Sequence, residues 1–200
     1  MRPPLGVILA GGQATRMGGG DKGLLNVGGD TLLGHVISRL DPQVQELAIN
    51  ANGDPARFFH LGLPVLSDSI DGFLGPLAGV LAGLDWAATH GAETIVTAAA
   101  DTPFFPCDLV PMLQLASEGM VHPLVLAATP DPKRGQARHP TFGLWPVALR
   151  DDLRGALNDG VRKVVQWSDR HDGRLATFPD EEAFFNVNTP DDLAQAEAML

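Results

Sequence analysis

Cysteine is almost missing from this 200-residue chain, with Cys107 alone. A lone cysteine excludes an intrachain disulfide and any zinc site built on several thiolates. Cations are scarce too: 14 Lys and Arg face 24 Asp and Glu, a net charge of −10. That balance disfavours sequence-independent binding to nucleic acid or to an anionic membrane surface. A small anionic ligand stays open, provided cations are gathered around it locally. No apolar run approaches the roughly 18 residues of a membrane span. The opening MRPPLGVILAGG carries no signal-peptide cleavage pattern, so a cytoplasmic protein is expected. Internal repeats, low-complexity tracts and long charge blocks are also missing. What remains is globular in character, with 44% hydrophobic residues and a mean hydropathy of +0.05. At this length one domain, 1–200, buries roughly 70% of its unfolded surface.

Apolar patterning predicts alternating strands and helices. Residues 5–10 (LGVILA) form a short continuous apolar run stopped by Gly-Gly, the mark of a strand buried on both faces. Further strands are expected at 44–50, 63–66, 94–100, 124–129, 140–145 and 175–178. Helices are expected at 31–40, capped by Thr31, and at 75–90, 106–117, 147–157, 161–167 and 190–200. The glycines in 75–90 predict close packing of that helix on the sheet. This alternation gives an α/β fold with a mostly parallel sheet. Ligands of such sheets sit beyond the carboxyl ends of the strands. The loop after residue 10, Asn50 and Asp101 all fall there.

The stretch LAGGQATRMGGGDKGLL, residues 9–25, holds five glycines within 11–20 with Arg16 and Lys22 around them. Gly18, Gly20 and Gly23 spell G-x-G-x-x-G, but some eight residues past the strand, too late for the tight turn of a dinucleotide fingerprint. Asp21-Lys22-Gly23 lacks the G-K-[ST] ending of a Walker A loop. A long loop remains whose bare backbone can approach phosphate oxygens while the two cations neutralise them, which suits a triphosphate.

The same stretch resembles the opening signature of the molybdenum cofactor guanylyltransferases, a branch of the nucleotidyltransferases that include sugar-nucleotide pyrophosphorylases. Five more matches follow in order: NAN at 50–52, SDSIDGFLGPLAG at 67–79, AADTPF at 99–104, HPTFGL at 139–144 and FNVNTPDDL at 185–193. Sugar-nucleotide relatives separate the loop arginine and lysine more widely. Cytidylyltransferases acting on the same pterin tend to carry L-A-A-G and lack G-P-L-A-G. This chain has Leu9-Ala10-Gly11-Gly12 and Gly75-Pro76-Leu77-Ala78-Gly79, which favours guanine, with the other two activities as alternatives. Ala98-Ala99-Ala100 replaces a cysteine-bearing segment of some members, read as packing variation.

The resemblance implies a three-layer, Rossmann-like nucleotide-diphosphosugar-transferase fold. It also implies transfer of GMP from GTP to molybdenum-molybdopterin, with release of pyrophosphate. On it, Lys22, Asp101 and Arg16 are catalytic, and Asp101 also holds Mg²⁺. Leu9, Ala10, Gly11, Gly12, Lys22, Asn50, Asp68 and Asp101 would bind GTP. Asp68 can face base, ribose or metal, or form an Asx turn. Asn186 and Asn188 flank Val187 and so share one side of an extended segment. With Thr189 and His139 they are candidates for the pterin, beside the alternatives that Thr189 caps the last helix and that His139 is a satisfied structural histidine. Transient contact with cofactor-biosynthesis proteins or molybdoenzyme chaperones is implied, and a monomer is expected. Arg162 and Lys163 read as a solvated face, with contact to a pterin phosphate as the alternative. Trp86, Trp145 and Trp167 read as core and Cys107 as a buried thiol. His35, His60, His90, His122 and His171 show no metal-ligand spacing.

Overall fold

A computed structural model describes residues 2–11, 22–72, 75–180 and 182–200. Nine strands and six α-helices run through them: β1 (Leu5–Leu9), β2 (Asn26–Val27), β3 (Asp30–Thr31), α1 (Leu32–Leu40), β4 (Leu47–Asn50), β5 (Val65–Leu66), α2 (Pro76–Thr89), β6 (Thr94–Ala99), α3 (Leu109–Ala116), β7 (Val125–Asp131), β8 (Gly135–Pro146), α4 (Arg150–Asn158), α5 (Val164–Arg170), β9 (Arg174–Thr177) and α6 (Pro190–Ala198). Seven strands make one sheet in the order β5-β4-β1-β6-β8-β7-β9. Only β8 runs against its neighbours, pairing antiparallel with both β6 and β7.

Successive strand residues serve opposite cores, as the pleat requires. Ile8, Val96 and Val125 pack beneath α1 and α3 with Phe105 and Phe142. Val7, Ile95 and Leu126 pack beneath α2, α4 and α5 with Trp145 and Trp167. The result is helix layers on both faces of a mostly parallel sheet, as the alternation predicts. Gly83 lets α2 sit tight on the sheet, since a Cβ there would lie 2.8 Å from Val7 Cγ2 and Ile95 Cδ1. Thr31 caps α1, its hydroxyl accepting from Gly34 N at 2.9 Å.

Three elements differ from the expectation. The stretch Val27-Gly28-Gly29-Asp30 turns a small β2–β3 hairpin, both glycines having positive φ, the two-residue turn that glycine pairs favour. The strand β8 starts at Gly135, not at 140, because its outer half is polar and exposed and carries no apolar alternation to read. Residues 161–163 precede α5 instead of opening it. Trp145 and Trp167 are fully buried, whereas Trp86 is half-buried. Cys107 is exposed, correcting the expected buried thiol: Arg39 Nη1 lies 3.3 Å from its sulfur at the surface.

Candidate active site

From β1 the chain moves to β4 and β5 on one side, then returns to β6 on the other. The strand order therefore reverses between β1 and β6, and a crevice is expected at their carboxyl ends. A cavity of about 360 Å³ opens there. Leu9, Ala10 and Gly11 leave β1 into it, and Ala99, Ala100 and Asp101 leave β6 into it. Asn50, Asn52 and Asp68 line the β4–β5 side, with Gly75 and Pro76 at the start of α2.

Lys22 reaches the crevice because Gly23 is buried against the end of β6, where a Cβ would lie 3.4 Å from Ala100 Cβ. Its ammonium donates to Asp101 Oδ2 at 2.7 Å and to Asn188 Oδ1. The two paired side chains are 14% and 28% exposed, so the pair is sheltered yet open to a ligand. Asp101 follows β6 directly and does not cap α3, whose N-cap is Asp108. Its carbonyl accepts from Val187 N at 2.9 Å, and Thr102, fully buried, bridges Asp101 Oδ1 and Asn186 Oδ1 through its hydroxyl. Asn186 and Asn188 thus do share a side, and it is the side of Asp101 and Lys22.

The opposite wall is a net of amides on one carboxylate. Asn50 Nδ2 donates to Asp68 Oδ1 at 3.0 Å, and Asn52 Nδ2 to Asp68 Oδ2 at 2.7 Å. Asn52 Oδ1 accepts from Asp68 N at 2.9 Å. Each carboxylate oxygen keeps a lone pair for a further donor. Asn50 is itself buried under α2, where a Cβ on Gly79 would collide with its amide oxygen.

Thr189 caps α6 through a reciprocal pair with Asp192, whose carboxyl is held below the usual carboxylate range by the Asn188 N–H first and by Thr189. His139 lies outside the cavity lining. Its Nε2 is 2.9 Å from Thr129 Oγ1 and its ring stacks on Phe184 at 4.3 Å. Burial pushes its pKa down. Arg162 is exposed and donates to the carbonyls of Leu157 and Val161. Arg16 and Gly12 lie outside the described residues. The sequence reading missed Asn52, Thr102 and Thr141, which also lines the cavity. Asn52 had a signal, the N-A-N pair of asparagines two apart after a strand. Thr141 lies in the HPTFGL match, but nothing local singles it out over His139: three extra residues of β8 bulge out opposite Leu126/Ala127 and carry it there.

No group of three or more His, Cys, Asp or Glu suited to a metal occurs among the described residues. A single carboxylate is nevertheless a sufficient protein ligand for magnesium, which takes most of its oxygens from phosphates and water. Asp101 fits that need. No helix among the described residues is long and apolar enough to cross a membrane.

Comparison with known proteins identifies the family and the fold. A molybdenum cofactor guanylyltransferase of Cereibacter sphaeroides is 53% identical over 195 residues, covering 98% of this chain and 96% of the relative. One of Bradyrhizobium is 50% identical over 199 residues, covering 97% and 92%. Molybdopterin-guanine dinucleotide biosynthesis protein A of Archaeoglobus fulgidus superposes with a TM-score of 0.73 at 24% identity, over 98% of this chain and 97% of that one. The 4-diphosphocytidyl-2C-methyl-D-erythritol synthase of Anaerococcus prevotii gives 0.74 at 14% identity, over 99% and 96%. Those last two likenesses speak for the fold alone. The family pattern of the MobA-like NTP transferase domain matches residues 6–173, and the chain belongs to that family.

Proposed function

We propose that this chain transfers GMP from GTP to the terminal phosphate of molybdenum-bearing molybdopterin, yielding the guanine dinucleotide form of the cofactor and pyrophosphate. A pterin phosphate oxygen attacks the α-phosphorus in line. The new P–O bond forms as the α–β bridge breaks, and pyrophosphate leaves with the electron pair. Both substrates bring their own reacting groups, so the protein's task is positioning and charge stabilisation.

The observation that carries this reading is the Lys22–Asp101 pair at the β1–β6 reversal, facing the Asn50–Asn52–Asp68 net across one cavity. Lys22 neutralises charge on the departing pyrophosphate, with Arg16 on the same phosphates. The backbone of Leu9, Ala10, Gly11 and Gly12 lies along the nucleotide. Asn50 and Asp68 take the nucleoside end, where a carboxylate can accept from both N1–H and the exocyclic amine of guanine. Asp101 holds Mg²⁺, which when bound withdraws charge from the phosphate oxygens. Asn186 and Asn188 face the pterin, while Thr189 and His139 support them through the α6 cap and the Phe184 stack.

The deciding assay supplies GTP, CTP or UTP in turn, with Mg²⁺ and molybdenum-loaded pterin, and follows product mass and pyrophosphate. GTP alone should give the dinucleotide. A product from CTP, or from a sugar phosphate with UTP, overturns the reading. One cytoplasmic domain acting as a monomer, in transient contact with cofactor-biosynthesis proteins or molybdoenzyme chaperones, completes the proposal; sedimentation checks the monomer.

A further inference from the structure

Asp68 sits in a loop, residues 67–72, that is fastened from two sides. On one side Asn50, at the end of β4, and Asn52, just after it, hold it. On the other, its neighbour Ser69 donates from Oγ to Asp85 Oδ2 at 2.6 Å. That length is typical of a hydroxyl on an ionised carboxylate, a strong hydrogen bond. Asp85 belongs to α2 and is no part of the cavity lining. It is fixed in turn by α4: Arg154 Nη2 donates to its Oδ1 at 2.6 Å and its Oδ2 at 2.8 Å, and Arg150 Nε stands 3.7 Å from Oδ1. Ile70 packs onto the same α2–α4 core from above.

We propose that Asp85 is a positioning residue for the nucleotide site, holding Asp68 against the asparagine net through the Ser69 hydroxyl. The physical reason is that the asparagines hold the carboxylate and the N–H of Asp68 from the cavity side only, and the Ser69–Asp85 bond is a second anchor on the α2 side. Residues 68 and 69 are consecutive, so a bond at Ser69 fixes Asp68 Cα to about the half-ångström that recognition geometry demands. The α4 arginines keep Asp85 aimed at the loop. Their pairing explains a buried-edge carboxylate midway along α2, at a place where it caps nothing and touches no cavity.

The inference rests on the assignment of Asp68 to the nucleotide, and a double-mutant cycle separates the two. GTP affinity is measured by titration calorimetry for the whole chain, for Ser69→Ala, for Asp68→Asn and for the double variant. Asp68→Asn should weaken GTP binding about tenfold, the scale of one hydrogen bond to a charged group. Ser69→Ala should weaken it roughly three- to tenfold alone, and by less than twofold in the Asp68→Asn background. Ser69→Thr, which keeps the hydroxyl, should restore binding. Asp85→Ala should match Ser69→Ala in affinity, and the Ser69→Ala melting temperature should stay near that of the parent. If Asp68→Asn binds GTP normally, the underlying assignment fails. If Asp68→Asn is weak but Ser69→Ala is normal, or the two effects simply add, the positioning role is overturned while the site stands.

Discussion

The two ends of the cavity are made of different chemistry gathered over different distances along the chain. At the β6 end, an ammonium, a carboxylate and an amide meet from 79 and 166 residues apart. At the β4–β5 end, two amides and a carboxylate meet within 18 residues. A lysine ammonium is a compact charge on a flexible stem, so under the proposed function Lys22 exchanges Asp101 for a phosphate. The amide net cannot exchange partners in that way. Its hydrogen bonds fix a shape before the ligand enters. Under the proposed function the first end is therefore suited to changing charge during a reaction, the second to recognising an unchanging nucleoside.

The sharpest way to break this contrast is to remove charge at the β6 end. Asp101→Ala should reduce kcat by about a thousandfold or more, and Lys22→Met by roughly a hundred- to a thousandfold, the scale seen when one transition-state donor is lost. Melting temperature should move little, since a partly exposed ion pair contributes only about 0–1 kcal/mol. Steady-state pyrophosphate release at saturating GTP and Mg²⁺ checks both. A variant at Asp101 that keeps most of its rate at saturating Mg²⁺ removes the charge-handling role. At the other end, Asn52→Ala should raise KM for GTP about tenfold and leave kcat within about twofold, because an interaction lost equally from ground and transition states acts on binding. A parallel fall in kcat would erase the distinction between the ends.

The same contrast explains what the sequence made legible. Both buried faces of β1 and β6 were readable as continuous apolar runs, and the helical spacing of Leu32, Leu33, Val36, Ile37 and Leu40 as α1. Glycine at 79 was readable as close packing, though not as the feature that seats Asn50 beneath α2. The local net was half visible: Asn50 and Asp68 stood out, while Asn52 needed the three-dimensional pairing to earn a role. The long-range end was visible only as separate residues. That Asn188 meets Lys22 and that Thr102 joins Asp101 to Asn186 depends on the Val187–Asp101 backbone bond, which no local pattern encodes. The polar arm of β8 and its bulge were unreadable for the same reason. Their geometry follows from pairing partners, since the segment has little apolar periodicity of its own.

A smaller effect sharpens the contrast from outside both ends. His139 stacks on Phe184 with its Nε2 at Thr129, and burial lowers its pKa from the usual value. Between that lowered native value and about 6.5 the unfolded chain binds a proton that the native chain refuses. Stability is then lost as pH falls below about 6.5, and the loss stops growing once pH passes the native value. Replacing the ring by a side chain that does not titrate removes this slope. The drop in melting temperature from pH 7.5 to pH 5.5 should be smaller in His139→Gln than in the parent, by about 1–3 °C. Over the same range the pH profiles of kcat and of KM for GTP should keep the parent's shape, because the imidazole supports the wall and touches neither the charged pair nor the amide net. A kcat profile that shifts with His139→Gln would instead bring this histidine into the reaction, and would add a third chemical end to a cavity that the Lys22–Asp101 pair and the Asp68 net otherwise divide between them.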